Sequence, residues 1–187
     1  MKIVFTGPES SGKTTMANWS SDLSGMCLVK EVAREYMEIL EVPYDGSHVR
    51  EIGLLQQFDE NLRSSQHSDI ICDTDLLTII IWLEVKYKIT DHHLLDMWIK
   101  STPDMYFLCW PDFPWVDDPL RENPHNRNEL LTIYQNYLIQ YKKPFVPLSG
   151  NIQNRQQLVY QTILNLTGKD FGLNSRKVKS MFKFLLP

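Results

Sequence analysis

Short apolar runs alternate along the chain with longer stretches of helical period. Lys2–Thr6 contains the unbroken run Ile3-Val4-Phe5, the pattern of a strand covered on both faces. Over residues 13–23, Met16, Trp19 and Leu23 repeat at helical spacing, and Ser24-Gly25 ends the segment. Residues 27–30 read as a second short strand and 31–36 as the start of another helix. Turn residues fill 42–46, after which Ile52, Leu55, Phe58 and Leu62 predict the inward face of a helix over 49–65. A third strand over 69–72 runs straight into Asp73-Thr74-Asp75. The stretch 76–87 carries Ile79-Ile80-Ile81, which suits a strand, but its length and the polar break after it favour a buried helix.

Asp91 is placed to cap a short helix through Leu94, Leu95 and Trp98, and 105–110 is a fourth strand. Leu130, Tyr134, Tyr137, Leu138 and Tyr141 predict an amphipathic helix over 129–141. Phe145–Leu148 is a fifth strand. The closing helix, 153–166, turns Leu158, Val159, Thr162, Ile163 and Leu166 inward, with Gly168 just past its end. This alternation predicts an α/β domain over 1–167, a five-stranded parallel sheet with helices on both faces. A basic tail, 168–187, carries five Lys or Arg against Asp170 alone. It reads as a solvated terminal helix that docks Met181, Phe182 and Leu185 on its own domain. A membrane-surface or acidic-partner contact is the alternative.

The first candidate chemistry lies between the first strand and the first helix. Gly7-Pro8-Glu9-Ser10-Ser11-Gly12-Lys13-Thr14 is a complete phosphate-binding loop. Its two glycines let backbone N–H groups turn inward toward phosphate oxygens, aided by the positive end of the helix that follows. Gly7, Glu9, Ser10, Ser11, Gly12, Lys13, Thr14 and Thr15 are therefore the candidate nucleotide-binding residues. Lys13 reaches the β- and γ-phosphates, and the Thr14 hydroxyl is placed to hold Mg²⁺.

In an open parallel sheet ligands collect beyond the carboxyl ends of the strands, so the polar residues there are the next candidates. Asp73 is expected to hold Mg²⁺ or accept a proton, with an N-cap as its alternative role, and Asp75 to contact substrate. Glu31 is a candidate base toward a sugar hydroxyl. Arg34 and Tyr36 follow it as candidate substrate contacts, although Glu-x-x-Arg spacing also makes an ordinary helical ion pair. After the fourth strand, Pro111-Asp112-Phe113-Pro114-Trp115-Val116-Asp117-Asp118-Pro119-Leu120-Arg121 reads as a lid. Trp115 is expected to wall a nucleoside pocket, and Arg121 and Arg127 to swing onto the transferred phosphate.

The 187 residues, 43% of them hydrophobic, suffice for one substantial core, and a net charge of −4 argues against a general nucleic-acid binder. Cys27, Cys72 and Cys109 lie in or beside apolar runs without metal-ligand spacing and read as buried thiols. The five histidines have no metal-ligand spacing either. No cleavable apolar region precedes the first strand and no apolar run reaches about 20 residues. A cytoplasmic protein is expected.

With these residues assembled, the chain resembles the ribosylnicotinamide kinase domain of the NadR family, a branch of the P-loop kinases often grouped with AAA-type ATP-binding domains. The resemblance rests on the phosphate loop, on Glu31-Val32-Ala33-Arg34-Glu35-Tyr36, on Asp73-Thr74-Asp75, and on Pro111 to Asp118 with Leu120-Arg121. It implies a P-loop kinase-like sheet with a lid after strand four, ATP with Mg²⁺, and phosphorylation of nicotinamide riboside at its 5′-hydroxyl. Larger NadR proteins also carry a DNA-binding segment and an adenylyltransferase domain, and neither is expected ahead of a phosphate loop that begins at residue 7. Pro119 stands where the family commonly has Gly, which stiffens the lid. A kinase for another nucleoside or nucleotide fits the same residues. So does an ATP-binding switch with slow hydrolysis, although a switch needs no pocket for a second small substrate.

Overall fold

Strands β1 (Lys2–Thr6), β2 (Cys27–Val29), β3 (Ile70–Asp73), β4 (Met105–Cys109) and β5 (Phe145–Leu148) pair in parallel in the order β2-β3-β1-β4-β5. The computed structural model that carries them describes residues 1–118 and 121–172. Pro119, Leu120 and the tail residues Met181, Phe182 and Leu185 lie outside the described residues. The helices are α1 (Lys13–Ser24), α2 (Val32–Ile39), α3 (Gly46–Gln66), α4 (Leu76–Trp82), α5 (His92–Lys100), α6 (Arg127–Gln140) and α7 (Ile152–Thr167). Among the described residues no helix is long and apolar enough to cross a membrane.

Because successive strand side chains point to opposite faces, each strand feeds two cores. Val4, Cys72, Tyr106 and Leu108 pack with residues of α3 to α6 on one face. Ile3, Phe5, Ile71, Phe107 and Cys109 pack with Met16 and Trp19 of α1 and Val159 and Ile163 of α7 on the other. Each such fully buried side chain contributes about 1.5–3 kcal/mol relative to exposure. Chain order reverses at β1: α1 carries the chain from β1 to the edge strand β2, α2 and α3 return it to β3 between them, and β4 and β5 follow on the other side. The carboxyl end of β1, with Phe5 in register with Asp73 on one side and Phe107 on the other, is thus the switch point where a ligand crevice opens.

Most predicted segments are present with ends moved by a residue or two, and four expectations change in substance. The helix predicted over 76–87 is α only to Trp82 and continues as the π-helical turn Leu83–Tyr87. In α3, Ile52 is buried, but Leu55, Phe58 and Leu62 are exposed, Phe58 by 67%. The inward positions are instead Val49, Ile52, Gly53, Gln56 and Glu60. Gln56 accepts the Val32 N–H at 2.9 Å and Glu60 pairs with Lys2, so distant partners draw polar residues into the face. In α7, Val159 and Ile163 are buried but Leu158 and Leu166 are exposed, with Arg155 turned inward. Cys72 and Cys109 are buried, whereas Cys27 is half-buried; all three are free thiols.

Candidate active site

The phosphate loop joins β1 to α1. Gly7 has φ 132°, and a Cβ there would lie 2.5 Å from the Cys109 carbonyl oxygen, so no side chain fits between the loop and β4. Ser10, at φ 51°, takes a left-handed conformation unusual outside glycine. Local strain of this kind clusters at ligand clamps. Gly12 is the N-cap of α1 and supplies no side-chain cap, so the first N–H groups of the helix remain available to an anion. Lys13 Nζ donates to the Pro8 carbonyl at 2.8 Å, folding its ammonium back across the loop. Thr14 and Thr15 are exposed at the start of α1, and Ser11 is buried.

Two carboxylates approach from neighbouring strand ends. Glu31 is the N-cap position of α2 but makes no side-chain cap, which leaves its carboxylate to the crevice. Burial raises its pKa, and the charge of Asp73 adds to this, while Lys13, Arg34 and Arg121 pull it down. Asp73 ends β3 and is nearly fully buried, and its Oδ1 has no hydrogen-bond partner among the described residues. Burial raises the Asp73 pKa too, against the Thr14 hydroxyl, Lys13 and Arg34. Lys13, Thr14, Glu31, Arg34 and Asp73 are therefore close enough to feel one another.

The alternative N-cap role falls to Asp75 rather than Asp73. Asp75 Oδ1 accepts the Leu77 N–H at 3.1 Å at the start of α4, and Oδ2 accepts the Tyr106 hydroxyl at 2.5 Å. Tyr106 in turn accepts from Trp98 Nε1 at 2.9 Å. This chain is buried beneath the sheet, so Asp75 stands away from the cavity where a substrate contact was expected. Tyr36 likewise points away: its hydroxyl donates to Glu51 of α3 at 2.8 Å.

The segment after β4 folds back over the phosphate loop. Arg121 donates to Ser10 Oγ at 3.0 Å and to the Val116 carbonyl at 2.8 Å. Glu9 accepts the backbone N–H groups of Glu122 and Asn123, at 3.1 and 2.9 Å. Arg127 is the first residue of α6 rather than part of a loose loop, and it donates to the carbonyls of Ser10, at 3.3 Å, and Phe113, at 3.0 Å. Trp115 is not on the cavity wall. Its Nε1 donates to Asp117 at 2.8 Å and the Arg127 guanidinium lies 5.8 Å from its ring centre.

Between these elements lies a cavity of about 630 Å³. Its near wall is the phosphate loop with Glu31, Arg34 and Arg121, and its far wall includes Ile81, Trp82, Val85 and Lys86. Arg34 pairs with Asp118 at 2.7 Å. Sequence reasoning missed the far wall, and it missed Arg155 of α7. That fully buried guanidinium donates to the carbonyls of Ser11, Trp110 and Gly150 at 2.7, 2.8 and 3.1 Å and also pairs with Asp112. Its spacing of four from Val159, on the buried face of the helix, was the available signal. No comparable signal marks Lys86 or Glu122, whose placement depends on the fold.

A family model described as an AAA domain matches residues 2–155. Among curated proteins no sequence matches the chain. Deoxyadenosine kinase from M. mycoides shares 17% identity over 89% of this chain and 100% of its own, with a TM-score of 0.58. NadR in complex with NR shares 16% identity over 93% of this chain at a TM-score of 0.75. The match spans 53% of the NadR chain, about half its length. Thymidylate kinase from Ehrlichia chaffeensis shares 17% identity over 89% of this chain and 97% of its own, with a TM-score of 0.57. At these identities the likeness is one of fold: an α/β, P-loop kinase-like arrangement with a five-stranded parallel sheet.

Proposed function

This chain belongs to the AAA-domain family, and within it we propose an ATP- and Mg²⁺-dependent kinase for the 5′-hydroxyl of a nucleoside, with nicotinamide riboside as the foremost substrate. The observation that carries this reading is the meeting, on one cavity, of a phosphate loop bearing Lys13 and a carboxylate, Glu31, that caps nothing. A switch protein can use both to hydrolyse ATP, but it has no use for the space beyond them, which a second small substrate needs.

The residues fit the implied nucleotide and metal. Backbone N–H groups of residues 9–15 suit the phosphates, and the exposed Thr14 hydroxyl with the unpartnered Asp73 Oδ1 suits a divalent cation. ATP with Mg²⁺ supplies the phosphoryl group and neutralises part of its charge. Glu31, ionised, accepts the proton of the attacking hydroxyl. Lys13 leaves the Pro8 carbonyl to meet the charge that develops on the transferred group, Arg121, anchored on Ser10, stands beside it, and Arg127, outside the cavity lining, holds the loop through the Ser10 carbonyl. Arg34 orients the acceptor. Of the remaining residues, Trp115 lies against the Arg127 guanidinium, while Asp75 and Tyr36 bond to Tyr106 and Glu51.

A nucleoside is favoured over a nucleotide because the cations of the acceptor side are already matched. Arg34 pairs with Asp118, Lys86 with Glu122 at 2.7 Å, and Lys88 donates to the Val85 carbonyl at 2.8 Å. An acceptor bringing its own phosphate would place its charge beside Asp118 and Glu122, the carboxylates that already partner Arg34 and Lys86. The occupancy of NadR by NR supports a riboside.

The test is phosphate transfer from ATP to a panel of nucleosides that includes nicotinamide riboside. Turnover of that riboside, lowered about 100- to 1,000-fold in Lys13→Ala without a change in melting temperature, is the expected result. Slow ATP hydrolysis with no nucleoside phosphorylated would point to the switch.

A further inference from the structure

The far wall of the cavity is built on an uncommon piece of backbone. At Leu83–Tyr87 the helix that began at Leu76 loosens into a π-helical turn, closed by Lys88 at φ 58°. Such turns occur mostly singly and frequently at functional sites. This one carries Val85 and Lys86 onto the cavity wall beside Trp82.

Opposite it stands Glu122, delivered by the segment that Glu9 holds over the phosphate loop. Lys86 Nζ donates to Glu122 Oε1 at 2.7 Å, and the Tyr44 hydroxyl donates to the same oxygen at 2.5 Å. Lys86 Nζ also donates to the Tyr44 oxygen. Two of the three ammonium hydrogens are thus used and one remains. Glu122 Oε2 accepts no hydrogen bond among the described residues. Tyr44 does not line the cavity; it is fixed against Trp82, ring centres 5.5 Å apart at 70°. Burial opposes the charge on Glu122, yet the hydrogen bonds from Lys86 and Tyr44 prevail and hold its pKa below the usual carboxylate value. At neutral pH the wall therefore presents a carboxylate acceptor next to an ammonium donor, with no net charge.

We propose that Lys86 and Glu122 together read an amide edge on the acceptor's ring, an N–H donor beside a C=O acceptor, as in a carboxamide or a ring lactam. Such an edge gives its N–H to Glu122 Oε2 and takes the spare Lys86 hydrogen on its oxygen. A carboxylic acid in the same place offers two acceptors and a negative charge, one oxygen of which meets Glu122, so the pair selects by repulsion as well as by attraction. Tyr44 is a positioning residue that fixes the Glu122 rotamer. The inference rests on the nucleoside-kinase reading and narrows its substrate.

The experiment compares kcat/KM for nicotinamide riboside and nicotinic acid riboside, which differ only in amide against acid, in the wild type and in Glu122→Gln, Lys86→Met and Tyr44→Phe. The wild type is expected to prefer the amide by about 10- to 100-fold, the range of one mispaired polar group at a partly exposed site. Glu122→Gln, able to donate to an acid, should bring the ratio close to one. Tyr44→Phe should raise the riboside KM more than it lowers kcat. A wild type that turns over both ribosides equally, or a Glu122→Gln ratio that stays at the wild-type value, overturns this inference and leaves the kinase standing. Absence of turnover on every riboside overturns the kinase reading and this one with it. Should Glu122→Gln melt early, the wild-type ratio and the Lys86→Met ratio decide.

Discussion

Glu9 accepts both the backbone N–H of Asn123, at 2.9 Å, and its side-chain amide, at 3.4 Å. A phosphate-loop residue thereby anchors a segment 114 residues away in sequence. Together with the Glu122 N–H bond, this tether joins the nucleotide end of the cavity to its acceptor end. Glu9→Ala removes charge-assisted hydrogen bonds worth about 1.5–3 kcal/mol on a half-exposed segment. The expected outcome is a rise of about 10-fold in ATP hydrolysis relative to phosphate transfer, because water enters where the segment lifts. Coupled assays of ADP release and phosphorylated riboside measure both terms. An unchanged ratio rejects the tether's role.

Glu31 and Asp73 are expected to separate by pH and metal. Burial and the neighbouring Asp73 hold the Glu31 pKa above the ordinary 4.5, and Glu31 accepts a proton only when ionised. kcat/KM should therefore climb with pH through an apparent pKa above that value and flatten higher up. Glu31→Gln should abolish the limb and slow transfer about 100- to 10,000-fold, the usual range for a lost general base. Asp73→Asn should keep the limb and raise the Mg²⁺ concentration needed for half-maximal rate. The opposite pattern exchanges the two roles.

Arg155 is expected to be structural. Its guanidinium is fully buried and holds the Ser11 carbonyl from beneath the phosphate loop. Replacement by Met leaves Asp112 and three carbonyls without it, a loss of about 3–5 kcal/mol by analogy with broken buried pairs. At about 2–4 °C per kcal/mol for a domain of this size, melting should fall by about 10 °C. Thermal denaturation of the variant beside the wild type measures it, and a shift under about 2 °C would contradict the role.

A buried acid remote from the site contributes to the pH dependence of stability. Glu60 is 2% exposed, and burial raises its pKa from 4.5 to about 7 even though Lys2 remains charged beside it. Between those two values the folded chain keeps a proton that the unfolded chain has released. Stability then falls as pH rises through the window and levels off above it. Urea midpoints between pH 4.5 and 8 should show the decline, and Glu60→Gln should reduce its slope. An identical slope in the variant would assign the titration elsewhere.

What the sequence disclosed follows the range of the forces involved. The phosphate loop was legible because its glycines, Lys13 and Thr14 act through backbone geometry within eight neighbouring positions. The central strands were legible because burial on both faces leaves a continuous apolar run, as in Ile3-Val4-Phe5, and the edge strands β2 and β5, only partly buried, by their short apolar runs beside turn residues. The inward face of α3 was not: Gln56 and Glu60 are buried only because Val32 and Lys2 meet them there, while Leu55 and Phe58 carry apolar surface outward. Asp75 and Asp73 look equivalent in sequence, and what draws Asp75 under the sheet is its cap bond to Leu77 together with Tyr106 on β4, two strands away from β3. Trp115 was read as a pocket wall from its prolines, yet its ring is committed to Asp117 and Arg127.

The π-helical turn Leu83–Tyr87 makes the cavity wall depend on chain length as well as on composition. A π turn stores one residue more than the α-helical path it replaces, and one residue corresponds to about 100° of helical rotation. Loss of a single residue here would let the helix run on as α and remove the bulge by which Val85 and Lys86 reach the cavity wall. The five strands and the phosphate loop, whose contacts lie elsewhere, would be unaffected. An alteration that in most helices is simply a defect would, at this turn, rewrite which acceptor the cavity admits without touching how it handles phosphate.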